Sequence, residues 1–181
     1  MLVTAIDPGT EESALVVYDS LAKTIFTFRT WPNSDLVNWL ATHSGPLDPL
    51  VVEMVESFGM PVGAETFATV WWSGRFHQAW RGPAHQLSRR AVKLHLCHSA
   101  RATDANVRQA LIDRFGPGKE AAIGLKSKQG PLYGLKSHEF AALGVALTWA
   151  ETAGVVAEGP EKAQEPRQAA PRRDKANSGL S

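Results

Sequence analysis

The chain has 181 residues, a formal net charge of +1, 44% hydrophobic and 20% charged residues, the profile of one globular domain with a sizeable core. This near-neutral balance excludes a nucleic-acid binder that works through overall charge, so any such contact must rest on local basic groups. A lone cysteine, Cys97, excludes an internal disulfide and a multi-cysteine metal centre.

Neither a signal peptide nor an apolar run long enough to span a bilayer is legible, which predicts a cytoplasmic protein without a membrane partner. Leu2 to Ile6 is almost wholly apolar and predicts a first strand, buried on both faces, that ends on Asp7. Pro8 and Gly9 turn the chain, and Leu15 to Tyr18 return as a second strand, leaving Asp7 near the mouth of a hairpin. Thr24 to Arg29 alternates polar and apolar residues and predicts a third strand. Asn33 or Ser34 is placed to cap a helix through Leu36, Val37, Leu40 and Ala41. After the loop from Gly45 to Pro49, Leu50-Val51-Val52 forms an apolar strand that ends on Glu53. Met54 to Pro61 connects it to a long helix from about Val62 to Trp80, with Phe67, Val70, Trp71, Gly74 and Ala79 on its apolar face.

Arg89 to Leu96 predicts a fifth strand with a basic start, followed by Cys97 as a small core residue. Thr103 caps a helix from Asp104 to Phe115 with the stripe Val107, Ala110, Leu111 and Phe115. Gly116 to Gly134 is rich in glycine and lysine and reads as a loop. Ser137 caps a last helix from His138 to about Thr152. From Glu158 the composition shifts to Pro, Gln, Ala and mixed charge, so a domain over residues 1–155 is expected to carry a disordered tail over 156–181.

A lone acid at a strand end suits a turn. Asp7 and Glu53 together suit something else: two buried strands bringing carboxylates to one end of a sheet match the needs of a divalent metal. Three strands in series, then alternating helices and strands, predict an α/β mixed sheet with helices on both faces.

That order matches the ribonuclease H-like fold. Ala5-Ile6-Asp7-Pro8-Gly9-Thr10 resembles the opening of RuvC-type Holliday-junction resolvases, whose first strand ends in Ile-Asp-Pro-Gly. Val52-Glu53 resembles their fourth strand with its catalytic glutamate. Val92-Lys93, followed by Ala102, Val107 and Leu111, is similar to their fifth strand and next helix. Ala142 to Leu147 is similar to their C-terminal helix, and the turn from Gly130 to Gly134 looks like the phage-encoded branch.

The resemblance covers Leu2 to about Trp149. It implies a five-stranded ribonuclease H-like sheet, hydrolysis of DNA phosphodiesters at four-way or other branched junctions, and two Mg2+ or Mn2+ ions per site. Asp7 would bridge both ions and Glu53 would bind one. Family members place two acids, or a histidine and an acid, near the start of the last helix. Here His138 takes the first place, Ala141 the second, and Glu139 is the nearest carboxylate, so His138 and Glu139 stand as alternative or joint ligands. Asp104 stands where the family has lysine and reads as a helix N-terminal acid. Glu56 reads as solvent-facing, with a supporting role to Glu53 open. The family acts as a two-fold homodimer with the long second helix at the interface, here around Phe67, Trp71 and Gly74.

Candidate DNA contacts are Arg75 among the tryptophans, Lys93 near the basic strand start, and Lys119, Lys126, Lys128 and Lys136 before the last helix. For any one of the lysines, ordinary solvated charge is the commoner reading. Two other functions compete: a catalytically weakened binder of branched DNA, because of Ala141, and an actin-like or sugar-kinase nucleotide domain, which also opens on an Asp-x-Gly-Thr turn. For the latter, no second glycine-rich phosphate loop is present.

Overall fold

Strand β1, Leu2–Asp7, lies at the centre of the molecule, and Val3, Ala5 and Ile6 are fully buried in it. The computed structural model describes residues 1–57 and 61–156. β2 (Glu12–Asp19) runs antiparallel to β1, and β3 (Thr24–Pro32) runs antiparallel to β2 at one edge. Helix α1 (Asn33–His43) crosses to β4 (Leu50–Met54), which pairs with β1 in parallel. Helix α2 (Ala64–Ala79) then leads to β5 (Ala84–Ser88), parallel to β4 at the other edge. The order β3-β2-β1-β4-β5 makes the five-stranded mixed sheet that the chain order predicts.

The two-residue period of the strands splits their side chains between two cores. Val3, Ala5, Val16, Tyr18 and Val51 face helices α3 (Arg89–Cys97), α4 (Asp104–Phe115) and, later in the chain, Ser137–Val156. Ile6, Leu15, Val17, Leu50 and Val52 face α1 and α2 through Leu36, Leu40 and Phe76. Among the described residues no helix is long and apolar enough to cross a membrane.

Several expectations need correction. Arg89 to Leu96 is helix α3, not a strand. Ser88 Oγ accepts the Ala91 N–H at 3.1 Å and caps it. Val92 and Leu96, four apart, are buried, whereas Leu94, which a strand would bury beside them, is 44% exposed. The true fifth strand, Ala84–Ser88, is a polar edge strand held by backbone pairing with β4, so it carries little apolar signal. The stretch from Gly116 to Gly134 is not all loop: it holds α5 (Lys119–Ala122) and a small hairpin of β6 (Gly124–Leu125) and β7 (Lys128–Gln129). α1 has no side-chain cap, and Asn33 lies inside its first turn with its side chain buried.

The last helix, α6, runs from Ser137 to Val156, past the expected end at Thr152. Beyond Val156, the expected tail lies outside the described residues, as do residues 58–60 of the Met54–Pro61 connection. On α2 the stripe Phe67, Val70 and Trp71 points outward, with exposures of 64%, 50% and 55%, while Ser73 and Phe76 turn inward.

Candidate active site

β1 and β4 pair in parallel with Ile6 beside Val52, so the next residue of each strand, Asp7 and Glu53, emerges at the same end of the sheet. Both continue the alternate positions that face α6, because Val3, Ala5 and Val51 lie in that core. A cleft at this end is lined by Asp7, Glu53, Arg89, Asp104, Arg108 and His138, among others.

The turn behind Asp7 is fixed by a closed set of hydrogen bonds. Gly9 N–H donates to Ser13 Oγ at 3.0 Å, Ser13 Oγ donates to Asn33 Oδ1 at 2.6 Å, and Asn33 Nδ2 returns to Gly9 O at 3.0 Å. A Cβ on Gly9 would stand 2.2 Å from the Glu12 carbonyl oxygen, so only glycine admits this turn. Ser13 and Asn33 are buried, and their bonds hold the exit of β1 that aims Asp7. Asn33, one of the two candidate caps with Ser34, bonds instead to Ser13 and Gly9, twenty or more residues earlier and beyond local signals.

Asp7 Oδ2 lies 2.9 Å from His138 Nδ1, which donates to it. Burial pushes the Asp7 carboxyl above its usual range, against the opposing hydrogen bond and charge of His138. Glu53 Oε2 accepts from Arg89 Nη1 at 3.0 Å. Burial pushes Glu53 up to about 7, even with Arg89 beside it and partly because Asp7 is near. Two adjacent carboxylates thus sit in a desolvated place, Asp7 paired with His138 and Glu53 with Arg89.

His138 and Glu139 sit in the first turn of α6, about 100° apart around its axis. The Lys136 carbonyl accepts the Phe140 N–H at 3.0 Å, which makes Lys136 the cap residue. Glu139 folds back on it: Oε2 accepts the Lys136 N–H at 2.8 Å and Oε1 accepts from Thr30 Oγ1 at 2.7 Å. Glu139 is buried and does not line the cleft, whereas His138 does and reaches Asp7. Ala141 also lines the cleft and offers no polar atom.

Asp104 is the first residue of α4, after a Thr103–Asn106 capping box, as its helix N-terminal reading predicts. It also stands in the cleft wall, where a hydrogen bond from Arg89 holds its carboxyl below the usual range. Glu56 is not simply solvent-facing. Its Oε2 is buried without a hydrogen-bond partner among the described residues, beside a small cavity shared with Asp7, Glu53, Thr69 and Arg89.

Of the basic candidates, Arg75 is exposed and stacks over Trp71 and Trp72, its guanidinium 5.1 and 5.9 Å from the ring centres. Lys93 Nζ lies 3.8 Å from Asp104 Oδ1. Lys119, Lys126, Lys128 and Lys136 are exposed, and none lines the cleft. The cleft's own cations are Arg89 and Arg108. Arg108 was legible as the residue four after Asp104 on one helix face. Arg89 was not, because its place depends on where α3 begins.

Among the described residues no three acidic, histidine or cysteine side chains gather as a metal site. The pair Asp7 and Glu53 nevertheless suits Mg2+, which is held by one or two carboxylates and completes its shell with water and phosphate. Asp7, Glu53 and Asp104 gather around the Arg89 guanidinium, with Lys93 beside Asp104. The donor set, hard oxygens in a desolvated place, fits a divalent cation.

No family model matches the chain, and no curated protein matches it. Among solved structures it is similar to Thermus thermophilus RuvC, with a TM-score of 0.62, 19% identity, and 86% of this chain and 97% of that one covered. It is also similar to T. thermophilus RuvC in complex with a Holliday junction substrate, with a TM-score of 0.58, 20% identity, and coverage of 86% and 96%. The chain has the ribonuclease H-like fold of RuvC.

Proposed function

We propose that this chain is a divalent-metal-dependent endodeoxyribonuclease that cuts four-way and other branched DNA junctions. The observation that supports this best is the convergence of Asp7 and Glu53, both desolvated, at one end of two parallel strands in a RuvC-like fold. Fold alone does not decide function, so the reading rests on this site.

In this reading Asp7 and Glu53 hold Mg2+ or Mn2+, with two ions per site. The chemistry that ions held by these carboxylates would supply is activation of a water and neutralisation of charge on the phosphate and the leaving oxygen. Asp7 would be a principal ligand, aimed by the Gly9–Ser13–Asn33 bonds behind it. His138 holds the Asp7 carboxylate from the cleft side, close enough to serve as a further ligand. Glu139 contributes by fixing the start of α6 to β3, so that His138 is presented correctly. Arg108 and Arg89 line the place where a phosphate backbone would lie. Lys93, Arg75 and the four lysines before α6 serve more distant phosphates.

A junction presents two strands, and a symmetric dimer supplies two sites. The outward stripe Phe67, Val70, Trp71 and Gly74 on α2, spaced as one helix face, is the candidate homodimer surface. The cytoplasm of a bacterium or phage-infected cell is the expected setting. The phage-type likeness rests on the Gly130–Gly134 turn alone.

A second reading is favoured by one observation. Ala141 offers no ligand, and Glu53 is already paired with Arg89, an arrangement that also suits a binder of branched DNA that does not cut. Incubating the protein with a synthetic four-way junction and Mg2+ or Mn2+ separates the two. The nuclease reading predicts paired nicks near the branch point. A retarded complex without nicks in either metal contradicts it.

A further inference from the structure

Arg89 bridges two carboxylates of unequal setting. Nη1 lies 3.0 Å from Glu53 Oε2, and Nη2 lies 2.7 Å from Asp104 Oδ1. The Glu53 side chain is 15% exposed and that of Asp104 75%. The guanidinium thus has an inner arm on a buried acid and an outer arm on an acid open to solvent. Its position is set by neighbouring structure: β5 pairs Leu87 with Glu53, Ser88 caps α3, and Arg89 is the first helical residue. Asp104 in turn is fixed as the first residue of α4.

A buried carboxylate without a compensating charge is costly, and removing one partner of a buried pair leaves that cost exposed. In the metal-free protein the inner arm of Arg89 meets this need at Glu53. It occupies Oε2, one of the two oxygens with which Glu53 would hold a cation. A cation held by Glu53 would displace the inner arm. The outer arm need not break, because Asp104 lies away from the buried acid, toward solvent, and Lys93 Nζ at 3.8 Å helps hold it in place.

We propose that Arg89 is the resident counter-ion of Glu53, exchanged for a divalent cation, and that Asp104 is the anchor that keeps the displaced guanidinium at the cleft wall. Asp104 is then a positioning residue that acts through Arg89, not a ligand. This rests on the metal reading of Asp7 and Glu53. Its chemical consequence is that an empty site carries its own positive charge and does not capture stray cations tightly. When Arg89 leaves Glu53, it stays within the cleft, where its fork of donors suits a phosphodiester.

Titration of Mn2+ into the full chain by calorimetry, at fixed pH and physiological salt, tests the exchange. Arg89→Gln should bind Mn2+ at least fivefold more tightly than wild type. Arg108→Gln removes a cleft cation that lies over the Phe140 ring, at 4.5 Å, and is not bonded to Glu53. It measures the general effect of charge and should gain less than twofold. Asp104→Asn should weaken binding in the wild type and have little effect in the Arg89→Gln background, because an anchor without its arginine has nothing to hold. Circular dichroism confirms folding of each variant, and Arg89→Lys, which keeps the charge but loses the fork, serves where Arg89→Gln is unfolded and should then bind Mn2+ more tightly than wild type. Equal or weaker Mn2+ binding by Arg89→Gln, or a gain no larger than that of Arg108→Gln, overturns the exchange. An equal loss from Asp104→Asn in both backgrounds overturns the anchor role. No Mn2+ binding by wild type and Arg89→Gln alike overturns the metal reading itself, and the exchange with it.

Discussion

Thr30 Oγ1 and Glu139 Oε1 lie 2.7 Å apart although 109 residues separate them in the chain. This bond ties the start of α6 to strand β3, and with the Lys136 N–H it occupies both oxygens of Glu139. The neighbouring side chain, His138, is left to face Asp7. Two adjacent residues that look interchangeable as ligands thus have different surroundings.

Glu139→Ala is therefore expected to act on stability. It strands a half-buried hydroxyl and a helix-terminal N–H, with loss of a charged acceptor, and should cost about 1.5–3 kcal/mol. Urea unfolding should show a lower midpoint with an unchanged slope. His138→Ala, at a side chain 75% exposed, should cost less stability than Glu139→Ala and lower junction cleavage by orders of magnitude across a Mg2+ titration. Wild-type cleavage by His138→Ala would remove it from the site.

The raised Glu53 carboxyl predicts how stability depends on pH. Its folded value is about 7 against an ordinary 4.5, so between these values the folded state holds a proton that the unfolded state has released. Stability should then fall as pH rises through that window, by at most about 1.4 kcal/mol per pH unit from this one group. Asp7, also raised, adds to the same trend just above its ordinary value of 3.8. Melting in a metal chelator from pH 4.5 to 7.5 checks this, and Glu53→Gln should flatten the slope. A slope unchanged in Glu53→Gln would assign the titration elsewhere.

The bonds behind Asp7 give a third expectation. Asn33→Ala leaves the Ser13 hydroxyl and the Gly9 carbonyl without their partner, at a cost of about 1–3 kcal/mol. Because these bonds aim Asp7, the variant should also cut junctions more slowly at saturating Mg2+ while it remains folded. Full cleavage at reduced stability would confine Asn33 to a structural role.

Sequence and structure part company where side chains are placed by distant partners. Asp7 and Glu53 were legible because an acid closing an apolar strand is visible locally, and parallel pairing then brings the two together. α3 was not, since Val92, Leu94 and Leu96 satisfy a two-residue period and Val92 and Leu96 also satisfy a helical one; only the exposure of Leu94 decides. Misreading α3 hid Arg89, whose first-turn position exists only if Ser88 starts a helix. Glu139 could not be separated from His138, because its partner Thr30 belongs to a strand more than a hundred residues earlier. α2 shows the converse: its stripe of Phe67, Val70 and Trp71 was legible as one face, and the structure turns that face outward.

That face supports a prediction about assembly. Phe67→Glu together with Trp71→Glu places charge on the exposed stripe and should leave the fold intact, because neither side chain is in the core. If α2 mediates the homodimer, sedimentation should show dimers for wild type and monomers for the variant. Dimers in both would place the interface elsewhere.

Asp7 is the carboxylate on which both metal binding and cleavage are expected to depend. The measurement that bears on it most directly compares wild type with Asp7→Asn, which removes the carboxylate charge and preserves the shape, on one labelled four-way junction. Cleavage and gel retardation are read from the same samples with Mg2+. The account predicts loss of cleavage with retained junction binding, because binding rests on basic groups spread over the surface and cleavage on this carboxylate. Nicking by purified Asp7→Asn at the wild-type rate would contradict it.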